Sequence, residues 1–278
     1  MSDKISLDSV RWEAESTLES HGVGISLRVN KADLLSAFPV CVPAARRTSG
    51  VPRPTIRYSI LQRGGDGENQ RIYSLYSGRK RLLDASATLP ILRRLESELQ
   101  HSVATLTDEK VFVHAGVVAW RGRAILIPGR SFSGKSTLVH ALIQAGATYY
   151  SDEYAVIGDD GKIHAFPRAL RLRGDNGAEI RYENLSSSRR RPLTAGVIVV
   201  SKYRPGGRWN PRPLTPGEAL LALIGNTVSF RRRPEASLRA LRQVAARASA
   251  FRTVRGEAGE IARKLLDKKV ISQAEAEE

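Results

Sequence analysis

The sequence predicts an α/β protein with a small β-rich N-terminal lobe and a larger C-terminal core. Three observations support this prediction: strand patterns dominate the first hundred residues, strand and helix patterns alternate after them, and a glycine loop joins a buried strand to a helix. At 278 residues the chain can bury a sizeable core, as one large domain or two smaller ones. We place the boundary between an α+β lobe of residues 1–105 and a core of residues 106–278.

Within the lobe, two strands and one helix are predicted. Residues 55–61 and 71–76 are rich in β-branched and aromatic side chains, and Gly64–Gly67 between them is typical of a hairpin loop. Leucines on one face predict a helix from about Thr88 to Ser102, with a proline tolerated in its first turn. The lobe is therefore expected to be a small sheet closed by that helix.

The core begins with two apolar strands, 111–118 and 124–127, around the turn Arg121–Arg123. A helix follows the glycine loop and is expected to end near Gly146, because glycine is common just after a helix C-terminus. Residues 148–157 are typical of extended chain. This succession places the glycine loop between a central strand and a helix.

Further along, Asp159–Gly161 predicts a turn before a strand at 162–166, and 195–200 predicts a buried strand. Thr215–Glu218 is a capping box with proline at the first helical position, and its helix should run through Ile224. Two more amphipathic helices are predicted, over residues 235–248 and 257–266.

The glycine loop Gly129–Thr137 matches the pattern G-x-x-x-x-G-K-[S/T] without a gap. Its glycines let backbone N–H groups point at phosphate oxygens, and the following helix N-terminus adds a partial positive charge. Lys135 is placed to reach the β- and γ-phosphates of ATP, and the Ser136 hydroxyl to ligate Mg²⁺. The alternative is an ordinary glycine turn with an exposed lysine. The expected nucleotide contacts are Gly129, Ser131, Ser133, Gly134, Lys135, Ser136 and Thr137.

An acidic pair, Asp152 and Glu153, follows Lys135 after only one predicted helix, a turn and a strand. This spacing brings the carboxylates back beside the mouth of the glycine loop. Because adjacent residues in extended chain point to opposite faces, we expect the two acids to have different tasks. One would hold magnesium and the other would face an incoming hydroxyl; a surface pair in a loop is the alternative.

His114 lies on the strand that precedes the loop strand, close to Gly116. A histidine in this place can assist proton transfer, although a hydrogen-bonded core histidine is the common alternative. Gly116 indicates a close backbone approach.

The charge of the chain is strongly positive. Lys plus Arg number 44 against 28 Asp plus Glu, a net charge of +16, and arginine runs occur at Arg189–Arg191 and Arg231–Arg233. Such a balance favours an acidic partner through long-range attraction, with a merely solvated surface as the alternative. Nucleic acid is disfavoured, because no recognition motif accompanies the charge.

We expect a cytoplasmic protein. No apolar run reaches the roughly 18 residues that would span a bilayer, so we expect no membrane segment, and the N-terminus has no long apolar stretch typical of a signal peptide. Cys41 is the single cysteine, which excludes an intramolecular disulfide and argues against a cysteine-rich metal site.

Taken in order, several segments resemble the catalytic domain of HPr kinase/phosphorylase and its smaller HPr-kinase-like relatives. The resemblance rests on His114–Val118, the glycine loop, the segment Ser151–Glu153, and the later segments Phe166–Leu172 and Thr215–Ile224. It covers roughly residues 110–266. The resemblance implies a phosphoenolpyruvate-carboxykinase-like α/β core containing the phosphate loop, the use of ATP and Mg²⁺, and phosphoryl transfer to a serine hydroxyl.

Relatives in peptide natural-product clusters, including those that resemble lasso-peptide kinases, phosphorylate a precursor peptide. We therefore expect an ATP-dependent serine kinase whose partner is an acidic or serine-bearing peptide or small protein. In this interpretation Asp152 orients and deprotonates the acceptor hydroxyl. Ser136 and Glu153 hold Mg²⁺, and Asp152 is a further candidate metal ligand. Lys135 and His114 complete the catalytic set. Three arginines are expected to steady the transferred phosphate or an acidic acceptor: Arg168, Arg171 and Arg204.

Two departures from the family pattern limit the analogy. The acidic pair is Asp-Glu where the family commonly has Asp-Asp, and the glycine-rich signature of true HPr kinase/phosphorylases is absent, the nearest stretch being 172–177. The phosphorylase reaction and HPr as substrate are thus not implied. Two alternatives stay open: a nucleotide-gated regulatory or nucleic-acid-associated ATPase, and a kinase for a small metabolite such as free serine. The sequence is compatible with a homo-oligomer and does not decide it.

Overall fold

The computed structural model describes residues 6–37, 43, 45–47, 55–64, 71–130, 133–168, 170–173, 179–182 and 190–267. The chain divides into two compact units, Met1–Asp108 and Glu109–Glu278. Both units combine strands and helices, so the predicted mixed α/β class is confirmed. Among the described residues no helix has the length and apolar character needed to cross a membrane.

The first unit is a six-stranded sheet with one long helix. Its strands follow the order β3-β1-β2-β4-β5-β6, and β2 pairs with β4 in parallel while the other neighbours are antiparallel. The elements are β1 (Ala14–Ser20), β2 (Val23–Val29), α1 (Leu34–Ala37), β3 (Arg46–Arg47), β4 (Ile56–Arg63), β5 (Ile72–Ser77), β6 (Lys80–Ala85) and α2 (Thr88–Leu106).

Helix α2 attaches to the sheet through an apolar stripe and one buried polar contact. Its core-facing residues are spaced at helical intervals, since Ile91, Leu95 and Leu99 are all almost fully buried. The Tyr58 hydroxyl lies 2.8 Å from the Ser102 hydroxyl. The helix continues beyond the predicted end to Leu106, because Val103 and Ala104 are still buried.

Strand prediction in this unit was incomplete. The two predicted strands correspond to β4 and β5, but β1, β2 and β6 were not predicted. Of the predicted hairpin loop, Gly64 has a left-handed backbone (φ 96°), and residues 65–70 lie outside the described part.

The second unit contains the glycine loop. Its elements are β7 (Val111–Trp120), β8 (Arg123–Pro128), α3 (Lys135–Gln144), β9 (Thr148–Ser151), β10 (Tyr154–Ile157), β11 (Ile163–His164), β12 (Leu170–Arg173), β13 (Glu179–Tyr182), β14 (Ala195–Tyr203), β15 (Arg212–Leu214), α4 (Pro216–Ile224), α5 (Pro234–Arg247), β16 (Ser249–Arg255) and α6 (Ala258–Leu266).

The main sheet of this unit has the order β11-β10-β7-β8-β14-β16-β15, with β9 also paired to β7. Strands β8, β14 and β16 are mutually parallel, so their carboxyl ends share one edge. We call this the loop edge, because the glycine loop follows β8 there. The opposite edge, where Arg121 and Gly122 join β7 to β8, is called the hairpin edge. Open parallel sheets bind ligands at the carboxyl ends of their strands, so a ligand of this sheet is expected at the loop edge.

Helices cover both faces of the sheet. One face packs against α4 and α5, with Leu223, Leu241 and Val244 fully buried. The other packs against α3 and α6, with Leu138, Leu142 and Ala262 fully buried. The strands between them are apolar on both sides, as expected for strands buried on two faces.

The start of α4 and the end of α3 have the local structures that the sequence predicted. Thr215 and Glu218 form the predicted capping box at the start of α4, with both reciprocal hydrogen bonds present. After α3, Gly146 has φ 101°, the left-handed conformation common just beyond a helix. Strands β15 and β16 were not predicted, and the strand expected over 162–166 is reduced to the two residues of β11.

Candidate functional site

The glycine loop leaves β8 and enters α3 through a left-handed residue. Gly134 is the N-cap of α3 with φ 82°, a conformation that favours glycine. Among the described residues no side chain caps the helix at this end, so its first N–H groups have no side-chain cap there. Ser131, a predicted nucleotide contact, lies outside the described residues together with Phe132. The described part of the loop therefore presents uncapped helix amides at the loop edge.

Lys135 extends back over the loop. Its Nζ donates to the Arg130 carbonyl at 2.8 Å, and the residue is only 7% exposed. Burial lowers the pKa of the Lys135 ammonium, while the neighbouring Glu153 and Asp152 oppose that shift. The loop is tight at its start, because a Cβ added to Gly129 would come within 2.7 Å of the Ser133 hydroxyl oxygen.

Asp152 is the buried centre of the site. Its residue exposure is 1%, and Oδ2 accepts a hydrogen bond from Ser136 Oγ at 2.9 Å. The Tyr149 hydroxyl donates to Oδ1 at 2.9 Å, and burial is the main reason why the pKa of that phenol is raised. Ser136 is the second residue of α3, directly after the loop, so the contact joins the start of the helix to the acidic pair.

Arg168 holds both members of the acidic pair. Its Nε donates to Asp152 Oδ1 at 2.9 Å, and Nη2 donates to Asp152 Oδ2 at 3.2 Å and to Glu153 Oε2 at 2.9 Å. Burial alone would lower the pKa of the Arg168 guanidinium, but the two carboxylates raise it above its ordinary value. The result is a largely buried three-residue ion cluster with fixed geometry.

Glu153 faces His114 as well as Arg168. Its Oε1 lies 3.5 Å from His114 Nδ1, an ion-pair distance too long for a good hydrogen bond. His114 Nδ1 is buried and has no hydrogen-bond partner among the described residues. Burial tends to raise the pKa of Glu153, but His114, Arg168 and Lys135 together hold it below its ordinary value of 4.5.

A break between two strands places the acidic pair. Strands β9 and β10 both pair with β7, with Ser151 opposite Val117 and Tyr154 opposite His114. Asp152 and Glu153 occupy the two positions between these strands. One carboxylate therefore turns toward Ser136 on α3 and the other toward His114.

The backbone at Gly116 is what allows α3 to lie close to β7. A Cβ at this position would come within 2.5 Å of Val139 Cγ2 on α3. This agrees with the close approach expected from the sequence. The glycine therefore helps to set the distance between the helix that carries Ser136 and the strand that carries His114.

Sequence reasoning missed Arg255. This side chain is 2% exposed, and its Nη2 donates to the Gly134 carbonyl at 2.9 Å, at the junction of loop and helix. Its guanidinium carbon lies 5.3 Å from the ring centre of Tyr203. Burial lowers the pKa of Arg255. In a chain with 44 basic residues no local pattern distinguishes this arginine from surface ones.

The remaining predicted residues are less central. Thr137 is exposed in the first turn of α3. Arg204 is exposed at the loop edge, directly after β14, and its backbone N–H donates to the Arg255 carbonyl at 3.0 Å. Arg171 lies on β12, and its side chain is outside the described residues. The structure thus gathers Lys135, Ser136, the acidic pair, His114 and Arg168 in one place, and leaves Arg204 nearby without a role in that cluster.

The residues present suit a magnesium-bound nucleotide. The described part of the chain has no group of three or more His, Cys, Asp or Glu side chains arranged to hold a metal ion. Magnesium in nucleotide sites needs few protein ligands, since phosphate oxygens and water supply the others. A serine hydroxyl and a buried carboxylate 2.9 Å apart at the loop provide the protein's share of such a site.

Comparison with known proteins gave no match, either to a protein-family profile, to a curated protein or to a solved structure. The site is therefore interpreted from its own chemistry.

Proposed function

We propose that the protein is an ATP-dependent kinase that transfers the γ-phosphoryl group to a serine hydroxyl of a peptide or small protein. The proposal extends to an HPr-kinase-like core and to action in the cytoplasm, where ATP is supplied. Phosphoryl transfer requires positioning and charge stabilisation more than covalent catalysis by the protein. The loop edge offers the groups that such a reaction needs.

One observation carries the proposal: the Ser136 hydroxyl, at the start of the helix after the glycine loop, hydrogen-bonds the buried Asp152 carboxylate at 2.9 Å. In phosphate-loop enzymes the hydroxyl of this residue and an acidic residue share the magnesium site. A chance glycine turn has no reason to bring a buried acid to that hydroxyl. The contact supports nucleotide binding more strongly than the motif does alone.

The loop and helix supply the phosphate contacts. Uncapped N–H groups lie at the start of α3, and the Lys135 ammonium reaches back to the Arg130 carbonyl of the loop. Both kinds of group attract anionic oxygens. We assign Lys135 to the β- and γ-phosphates. Bound at Ser136 and Asp152, Mg²⁺ would neutralise part of the phosphate charge that develops during transfer.

This assignment exchanges the roles that the sequence led us to expect for the acidic pair. Asp152 is next to Ser136 and fully enclosed, so it suits the magnesium site. Glu153 is partly exposed and lies beside His114, so it suits the acceptor side. We assign Glu153 to orient the serine hydroxyl and to take its proton as the oxygen–phosphorus bond forms and ADP leaves.

His114 and Arg168 complete the acceptor side. His114 Nδ1 lies 3.5 Å from Glu153 Oε1, so we assign His114 to support Glu153 electrostatically; sharing of a proton would require the two groups to approach to hydrogen-bond distance. Arg168 directs three hydrogen bonds at the acidic pair, so we assign it to position these carboxylates and not to hold the substrate. Arg204, exposed at the same edge, is our candidate for contact with an acidic acceptor.

The test is labelling from γ-labelled ATP with magnesium. The full chain would be incubated with a serine-bearing peptide library, free serine and nucleic acids in separate reactions. Label on a peptide serine is the expected result. Label on free serine would instead indicate a metabolite kinase, and nucleic-acid-stimulated release of phosphate without a labelled product would indicate an ATPase; either would overturn the peptide assignment.

Three variants separate binding from transfer. Lys135→Ala should abolish nucleotide binding, measured by titration, while Lys202→Ala, an exposed lysine at the same edge, serves as the matched control. Glu153→Gln should retain ATP binding and lose transfer by at least about a hundredfold. Asp152→Asn should weaken magnesium-dependent binding. A Glu153→Gln protein with full transfer activity would remove Glu153 as the base.

A further inference from the structure

A second charged region occupies the hairpin edge, away from the glycine loop. It is a cavity of about 650 Å³. This volume lies within the range of small-molecule sites. The lining combines four cationic residues, one acidic residue and two neutral ones: Arg121, Arg123, Lys162, Arg247, Asp160, Gly122 and Thr194.

Two basic side chains of this cavity, Lys162 and Arg247, are fixed by neutral oxygens. Lys162 Nζ donates to Thr194 Oγ1 at 2.8 Å. Arg247 donates to the Asp160 carbonyl at 2.9 Å and to Gln243 Oε1 at 3.2 Å. Hydroxyl, carbonyl and amide oxygens orient a cation without cancelling its charge. The cavity therefore keeps a net positive charge and spare N–H donors.

Arg121 is held in a backbone conformation that does not favour arginine. The two-residue turn between β7 and β8 has φ 48° at Arg121 and φ 79° at Gly122. Turns of this type favour Asn-Gly, because asparagine tolerates the left-handed region better than long side chains do. Such an outlier invites a functional explanation. One such explanation is that the turn places the Arg121 guanidinium at the cavity wall.

Arg191, the last residue of the first of the two arginine runs, also lies at this edge. A Cβ added to Gly122 would lie 3.6 Å from Arg191 Nη2, so that guanidinium lies against the turn. The Tyr150 hydroxyl donates to the Arg191 carbonyl at 3.0 Å, which fixes the backbone there. Arg191 adds a further cation beside the cavity.

We propose that this cavity binds a compact anion carrying at least two phosphate groups, at a site separate from the glycine loop. Guanidinium groups bind phosphate through paired N–H donors, and several of them together match a multiply charged ligand. A concave site suits a compact molecule better than a duplex, which needs a long basic surface. Strand β8 has six residues, so at a rise of about 3.3 Å the two edges lie about 20 Å apart.

Inorganic tripolyphosphate is a suitable probe, titrated calorimetrically against the full chain. A Lys135→Ala background disables the glycine loop and leaves the cavity intact. In that background we expect one molecule of tripolyphosphate per chain. Absence of saturable binding would overturn the proposal. This outcome does not depend on kinase activity, so the two proposals can fail separately.

Variants at the turn locate the site. In the Lys135→Ala background, R121N with R191A should weaken binding at least about tenfold, since charge-assisted contacts are lost. R231A with R263A removes the same charge from exposed positions outside the cavity lining and should change binding less than about twofold. If both double variants weaken tripolyphosphate binding equally, the weakening comes from the loss of general surface charge. That result would overturn the proposal.

Stability provides an independent readout. R121N alone should raise the melting temperature while weakening tripolyphosphate binding, because asparagine suits the left-handed turn. A loss of binding that follows only from unfolding would be accompanied by a lower melting temperature and would contradict the assignment. Tighter binding of a duplex DNA or of a doubly phosphorylated peptide, sensitive to R121N, would overturn the choice of a small free ligand.

Discussion

The two edges of the main sheet in the second unit use basic side chains in opposite ways. At the loop edge, Arg168 is largely buried, with 20% of its side chain exposed, and forms three hydrogen bonds with the acidic pair. At the hairpin edge, Lys162 and Arg247 are held by neutral oxygens. Buried charges need partners of opposite sign, whereas half-exposed ones keep enough water to stay charged without them.

This difference explains what each edge can do. The loop edge has a rigid arrangement in which the positions of the carboxylates are set before any ligand arrives, which suits catalysis. The hairpin edge keeps unneutralised charge and donors that an incoming anion can use, which suits binding. The same residue type therefore has a positioning role at one edge and a proposed recognition role at the other.

The largest expected effect tests the pairing at the loop edge. Arg168→Ala leaves two carboxylates together without their guanidinium, and loss of one partner of a buried ion pair costs about 3–5 kcal/mol. Arg247→Ala at the hairpin edge should cost less than about 1 kcal/mol, since that side chain is exposed. Urea unfolding of both variants measures the contrast.

A second change checks the cause of the Arg168 effect. Adding Asp152→Asn to Arg168→Ala should recover part of the lost stability, because the uncompensated charge disappears. If the double variant is less stable than Arg168→Ala by the full effect of Asp152→Asn, the two residues act independently. That result would show that charge pairing does not explain the larger stability effect expected at the loop edge than at the hairpin edge.

A smaller effect is expected from the packing that supports the loop edge. Gly116→Ala places a methyl group within 2.5 Å of Val139 Cγ2, so α3 must shift, and overpacking of this kind costs about 1–3 kcal/mol. Gly122→Ala at the hairpin edge meets one side chain at ordinary van der Waals distance, and its left-handed φ should cost about 1 kcal/mol. Thermal unfolding would rank the two.

The matched control is Gly259→Ala in α6, where an added Cβ has no neighbour within 4 Å. It should leave stability unchanged or raise it slightly, because alanine favours helix. Gly116→Ala with wild-type stability would show that the approach of α3 to β7 is not constrained by this residue.

The smallest expected effect concerns pH. The pKa of Glu153 is lower in the folded protein than its ordinary value of 4.5. Its ionised form therefore stabilises the fold above pH 4.5, and that contribution is lost as the pH falls through the lowered pKa. Glu153→Gln should flatten this part of the acid dependence, measured by urea unfolding between about pH 3 and pH 7. Parallel curves for the two proteins would contradict the pKa direction.

Much of the loop edge could be predicted because its signals are local. The glycine loop, the helix after it and the acidic pair lie within one short stretch, so their order along the chain already constrains their positions. The capping box of α4 is likewise encoded in four consecutive residues and is present as predicted. Strands β15 and β16 were missed because they lack a clear alternating pattern. They are stabilised by tertiary pairing: β15 pairs with β16, and β16 pairs with β14.

By itself, the sequence determined the α/β class, the loop between strand and helix, and the presence of acids close to that loop, since these follow from composition and short-range spacing. Only the tertiary structure decided which acid lies beside Ser136, which arginine joins the acidic pair, and that Arg255 reaches Gly134 across 121 residues of chain. It also gathered scattered basic residues into the cavity at the hairpin edge. The physical reason is that charge pairing depends on distances in space, and neighbours in a sheet are set by long-range strand pairing.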